Sequence, residues 1–186
     1  MSDIVTTDPR ITDQIAANPV AATLTEEDGR WTLTMQRRLR HSPAKVWLLL
    51  TEPDQLVRWS PIVPDRAFDS VGPATARENP GDDDAVDAEV LAVDPPRELV
   101  HRWRADVLRW TLEPAGGGTL LTVHHTFADR ARTGSYGAGW HICLGALAAL
   151  DAHGFDNEDA PRRVVGGASL DYGWQDLHDA YAAALA

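Results

Sequence analysis

Apolar and polar residues alternate through Ala22-Thr23-Leu24-Thr25-Glu26, break at Glu27-Asp28-Gly29-Arg30, and alternate again from Trp31-Thr32-Leu33-Thr34-Met35. Two such runs joined through Asp-Gly predict a β-hairpin, because glycine accepts the positive φ that the turn needs. The second strand runs on to Leu39, with Trp31, Leu33, Met35, Arg37 and Leu39 on one face and Thr32, Thr34, Gln36 and Arg38 on the other. Ser42-Pro43 then opens a helix, serine as N-cap and proline at the first helical position. Its apolar side is Val46, Trp47, Leu49 and Leu50, and Glu52-Pro53 stops it. A second short helix covers residues 54–59. The pattern next becomes that of strands, at 62–69, 74–79, 85–93, 98–104, 107–113 and 119–127. Val71-Gly72-Pro73, Pro80-Gly81-Asp82, Pro95-Pro96 and Gly116-Gly117-Gly118 separate them, so an antiparallel meander is expected. Tyr136, Trp140, Cys143, Leu144, Leu147 and Leu150 recur at helical spacing over residues 136–153, with Gly154 at the stop. Residues 156–170 read as loop, and Trp174, Leu177, His178 and Tyr181 form the stripe of a terminal helix.

A long amphipathic helix offered to a curved antiparallel sheet buries most by lying in its concave face. The expected class is therefore α+β with a helix-grip fold, about six to seven strands wrapped on the long C-terminal helix. The 186 residues suit one domain, over residues 22–186 with a C-terminal extension at 155–186. Residues 1–21 are polar and proline-marked, and read as a loosely ordered arm with at most one short helix holding Ile11 and Ile15.

Charge narrows the partners. Seventeen Lys and Arg against 28 Asp and Glu give a formal net charge of −11, a surface that repels phosphate backbones and anionic lipid heads. Nucleic acid and membranes are thus not expected as partners. Cys143 is the only cysteine, which excludes an internal disulfide framework and a multi-cysteine zinc site. The start of the chain has no basic flank and no apolar run of signal-peptide length, so a cytoplasmic protein is expected.

Arg37-Arg38-Leu39-Arg40-His41-Ser42-Pro43-Ala44-Lys45-Val46-Trp47, then Leu50-Thr51-Glu52-Pro53, Leu56 and Trp59, resembles the opening of the SRPBCC (START-like) superfamily. Within it, the chain is most similar to homologues of the C-terminal domain of the heat-shock-protein-90 ATPase activator. Val93-Asp94-Pro95-Pro96-Arg97-Glu98-Leu99, Gly118-Thr119-Leu120-Leu121-Thr122-Val123, Gly139-Trp140-His141, and the tail with Trp174 and Tyr181 fall in that family's order. Where the family commonly has Trp-Trp-Gly-Pro after the second helix, this chain has Trp59-Ser60-Pro61. The resemblance implies a fold shared with lipid-transfer and plant-hormone-binding domains, some of whose relatives are cyclases or hydrolases. Fold alone does not carry function.

Strand alternation gives the candidate site. Leu99, His101 and Trp103 share a face, as do Leu108, Trp110 and Leu112, and Leu121, Val123, His125 and Phe127. Arg37, His101 and His125 are thereby expected to point at the helix among Trp59, Trp103, Trp110 and Trp140. An arginine there keeps its charge and must meet a carboxylate, carbonyls or an anionic ligand. One reading has Arg37 and the histidines fix the polar head of a ligand whose apolar body lies on the tryptophans. The other pairs Arg37 with Glu78, Asp87 or Glu89 and makes the histidines ordinary core groups.

Three functions stay open. The first is binding of a lipophilic small molecule, with an anionic or carbonyl group, between sheet and helix. The second is a cyclase- or hydrolase-like enzyme in which His101 and His125 exchange protons beside Arg37. The third is a chaperone-linked interaction module. No cofactor or metal is expected: the histidines lie on separate elements, and Asp82-Asp83-Asp84 lacks the surrounding calcium-loop pattern. The hairpin edge at residues 22–26 offers a contact for a homodimer.

Overall fold

A computed structural model describes residues 7–79, 81–154 and 159–186. Residues 1–6 of the expected arm, Pro80 of an expected turn and residues 155–158 of the extension lie outside the described residues. The hairpin forms as its sequence requires: β1 (Thr23–Glu27) pairs with β2 (Arg30–Leu39), and the turn residues Asp28 and Gly29 take φ of 51° and 74°. Helix α2 (Pro43–Thr51) has Ser42 at its N-cap, and α3 (Pro53–Leu56) follows Glu52 directly.

The strand region departs from a single meander. β3 (Val63–Pro64), β4 (Thr75–Arg77) and β5 (Val86–Asp87) form a small separate sheet. The run at 85–93 is broken, with β6 (Val90–Asp94) beginning only after Ala88 and Glu89. β6, β7 (Glu98–Trp103), β8 (Asp106–Ala115) and β9 (Gly118–Phe127) then continue the main antiparallel sheet. Its order is β1-β2-β9-β8-β7-β6, closed by pairing β9 to the N-terminal β2. Segments of two or three strand residues are too short to show a period, which is why the sequence merged them.

Helix α4 (Thr133–His153) lies against this sheet and ends at Gly154, whose φ is 87°. The stripe in its sequence predicts one buried face, yet the helix is buried nearly all round. The reason is two further helices. In α1 (Pro9–Ala17), Ile11 is fully buried and Ile15 meets Gly145 of α4. Residues 9–17 of the expected arm thus form the one short helix allowed for Ile11 and Ile15, and that helix docks on α4. In α5 (Trp174–Ala184), Tyr181 packs so closely on Gly137 that an added Cβ would lie 2.5 Å from its ring. Asp151 ties the C-terminal end of α4 to the β2–α2 link: its carboxylate accepts from the Arg40 backbone N–H at 2.6 Å and contacts His41 Nδ1 at 2.8 Å.

Candidate functional site

The inward faces are those expected, but the space they enclose is not. The deep void between sheet and helix, bounded by Trp59, Phe68, His101, Leu108, Trp110 and Trp140, measures about 10 Å³. That is at most the room of one water molecule. Aromatic side chains fill the place where a ligand cavity is expected. Trp59 meets Trp110 edge-on at 5.8 Å, Trp110 meets Trp140 at 5.3 Å, and Trp140 meets Trp103 at 6.0 Å.

Each indole N–H in this chain of rings needs an acceptor once buried. Trp59 donates to the Leu49 carbonyl at 2.8 Å, Trp110 to His101 Nε2 at 3.1 Å, and Trp140 to His125 Nδ1 at 3.0 Å. The two histidines are therefore the acceptors of the tryptophan core. His101 keeps its proton on Nδ1, which donates to the Arg102 carbonyl at 3.0 Å, and its ring stacks on Phe68. Burial holds its pKa down to about 4. His125 keeps its proton on Nε2, which donates to Asp106 Oδ2 at 3.0 Å, and the same oxygen accepts from the Tyr136 hydroxyl at 2.7 Å. Burial lowers the His125 pKa too, against the pull of Asp106. A general base needs a free lone pair, and here both imine nitrogens hold an indole proton. In the pair weighed for acid–base work, each imine nitrogen thus accepts an indole N–H.

Arg37 does not join them. It is buried, 7% exposed, but it lines a different cavity, beside the link between α1 and β1. Nor does it pair with any of the acids considered for it. Glu78 binds Arg104, while Asp87 and Glu89 face Arg102. His141, which sits near it, is also fully used: Nε2 donates to the Ile15 carbonyl at 3.1 Å and Nδ1 accepts from Tyr181 at 2.8 Å.

The open space lies at the rim of the tryptophan chain. One cleft of about 180 Å³ is lined by Pro61, Trp103, Tyr136, Gly139, Trp140 and Cys143, with Arg132 and Ser135 at its edge. A second, of about 220 Å³, shares Pro61, Trp103, Gly139 and Cys143 with it and is walled by Val164, Val165 and Trp174 of the C-terminal extension. Trp103 forms the common wall. Its ring lies along His125 at 5.7 Å, and its N–H is held by Glu78 Oε1 at 2.7 Å. Arg132 covers the Tyr136 ring at 4.9 Å. Cys143 has its thiol pKa pushed up to about 12 by burial, which keeps it protonated and unreactive.

Gly139, named from the sequence only as part of Gly139-Trp140-His141, was not read there as a site residue. Gly134, Gly137 and Gly145 on the same helix are small because α5 or α1 crowds them, whereas a Cβ at Gly139 would meet nothing within 4 Å. A glycine inside a helix was the available signal. Asp106 gave none, since it lies at a strand end and gains its role from Tyr136 and His125, 30 and 19 residues away. Trp103, Trp140 and, at the edge, Tyr136 reach the clefts; Trp59, Trp110, His101 and His125 do not line them.

A sheet gripping a long helix from β2 through β9, with a rim cleft beside that helix, defines an SRPBCC-type domain. The chain belongs to the family described as Activator of Hsp90 ATPase homolog 1-like protein, which it matches over residues 40–151. No curated protein matches it in sequence. Among solved structures it is similar to a conserved protein of unknown function from Enterococcus faecalis, with TM-score 0.68 and 19% identity, over 92% of this chain and 94% of that one. It is also similar to CalU16 from Micromonospora echinospora, with TM-score 0.63 and 19% identity, over 88% and 94% of the two chains. DynU16, of the dynemicin biosynthetic locus, shares 26% identity with TM-score 0.56, over 64% of this chain and 46% of its own. Among the described residues no helix is long and apolar enough to cross a membrane.

Proposed function

We propose that this protein binds a planar, lipophilic small molecule in the two joined rim clefts, against Trp103 and Trp140. The observation that carries the reading is Gly139. A helix-interior glycine costs about 1 kcal/mol relative to alanine, and here no neighbour requires it. What it does is leave the helix backbone bare at the floor of both clefts. The volumes, about 180 and 220 Å³, each fall short of the lower end of the range for small-molecule sites, about 300 Å³, and together exceed it. Trp103 and Gly139 line both clefts, and a carbonyl or anionic group on a ring bound in the first would have Arg132 of the same lining as its cation.

The histidines support binding rather than catalysis, because their lone pairs are spent on Trp110 and Trp140. The setting of DynU16 in a biosynthetic locus agrees with a domain that handles small molecules. A chaperone-linked role has only the family's description behind it. The test is titration with neutral polycyclic aromatic compounds, read by tryptophan fluorescence in the wild type and in Trp103→Phe. Saturable quenching that is weakened in Trp103→Phe supports the reading. Equal quenching in both, or none in either, refutes it.

A further inference from the structure

His141 of α4 sits where α1, α5 and β2 converge, and it lines neither rim cleft. Its side chain is buried, 1% exposed. The Ile15 carbonyl of α1 can only accept, so the proton of the neutral ring sits on Nε2, and Nδ1 accepts from the Tyr181 hydroxyl of α5. The backbone N–H of Ala21, in the link from α1 to β1, donates to that same hydroxyl oxygen. One chain of hydrogen bonds thus runs from the link through Tyr181 and His141 to α1. It holds as drawn only while the imidazole is neutral.

The charges around the ring favour that neutral form. Arg37 of β2 is the charge that acts on His141, and its Nε and Nη2 are sealed from solvent without hydrogen-bond partners. Among the described residues no acid balances the pair. On α1, Arg10 binds Asp8 and Asp13 is exposed. On α5, Tyr181 is kept protonated by burial, Asp176 and Asp179 are exposed, and His178 contacts Asp179. On α4 itself, Asp151 is spent on Arg40 and His41. A proton on His141 would therefore bury a second positive charge near an unpaired one. It would also turn Nδ1 from acceptor into donor, against the Tyr181 hydrogen. Burial and Arg37 together lower the His141 pKa from its ordinary 6.5.

We propose that His141 is a proton-operated latch, whose protonation frees α1 and the chain from Asn18 to Ala22 while the sheet and α4 keep their fold. α1 is the part that yields, because Ile11 is its one fully buried side chain, whereas Tyr181 of α5 is wedged on Gly137. With α1 lifted, water reaches the ring and it titrates at its ordinary value. Docking is thus at full strength above pH 6.5 and is lost as the pH falls below it. The released form uncovers Gly145 of α4, on which Ile15 packs, and admits water to Arg37.

The experiment is hydrogen–deuterium exchange of the whole protein from about pH 7.5 to about pH 5, with exposure times scaled to the intrinsic rate at each pH. Peptides over residues 9–22 report the latch, and peptides over β8 and β9 report the core. Below pH 6.5, protection over residues 9–22 should fall by up to about tenfold per pH unit, the limit for one proton, while β8 and β9 stay protected. His141→Gln, whose amide donates to Ile15 and accepts from Tyr181 without titrating, should keep α1 docked and abolish the pH dependence. Arg37→Met removes the opposing charge and should move the loss of protection to lower pH. Should His141→Gln leave α1 undocked throughout, Arg37→Met decides. Protection over residues 9–22 that ignores pH in the wild type, or falls together with β8 and β9, would overturn the proposal. So would wild-type pH dependence in either variant.

Discussion

Gly137 and Gly139 lie two residues apart on α4, and alanine at each should act in opposite directions. At Gly139 the new methyl meets nothing within 4 Å, so only the backbone term changes. Gly139→Ala should therefore raise stability by about 0.5–1 kcal/mol, the helix-propensity difference. At this chain length that is a rise in Tm of about 1–4 °C. At Gly137 the same methyl would lie 2.5 Å from Tyr181 Cγ and 2.9 Å from its Cβ, and must push α5 away. Overpacking of this kind costs about 1–3 kcal/mol and outweighs the propensity gain, so Gly137→Ala should lower the Tm. Chemical denaturation with matched thermal scans reads both. The cleft is tested by the larger residue: Gly139→Leu should stay folded, since its side chain enters open space, and should lose affinity for polycyclic aromatic compounds. A Gly139→Ala variant less stable than wild type would show that some neighbour needs the glycine. The cleft reading would then lose its basis.

Two further predictions concern buried polar groups. His101 has a folded pKa of about 4 against an ordinary value of 6.5, so between those pH values the unfolded chain binds the extra proton. Stability present above pH 6.5 is therefore lost as pH falls toward 4, by about 3 kcal/mol from this residue. Denaturation of His101→Gln should show a flatter acid limb, and an unchanged limb would contradict the burial argument. Asp151→Ala removes a buried carboxylate and leaves the Arg40 N–H, in a part-buried bond, without its acceptor; it should destabilise by about 1–3 kcal/mol. A change under about 0.5 kcal/mol, the range for ordinary surface substitutions, would mean that water replaces the carboxylate there.

The regular elements were legible because their signals are local. Asp28-Gly29 marks the hairpin, Ser42-Pro43 the start of α2 and Gly154 the end of α4. Strand alternation also placed His101, His125 and Arg37 on inward faces, and all three are buried. What each touches was not legible, since hydrogen-bond partners are set by register between strands and by helix docking. His125 meets Trp140 only because β9 lies under α4. Arg37 faces Tyr181 and His141 because α1 and α5 close over α4, and short terminal helices do not announce where they dock. The filling of the deep cavity follows likewise from four tryptophans meeting edge to edge, which no one-dimensional pattern shows.

The central claim is that the rim clefts hold a lipophilic ligand. Its most direct test is native mass spectrometry of the protein purified from its own cells, alongside Gly139→Leu expressed there. The account predicts that the wild type carries a small-molecule mass increment which the leucine variant has lost while remaining folded. An increment retained by the variant, or none on the wild type, would contradict it.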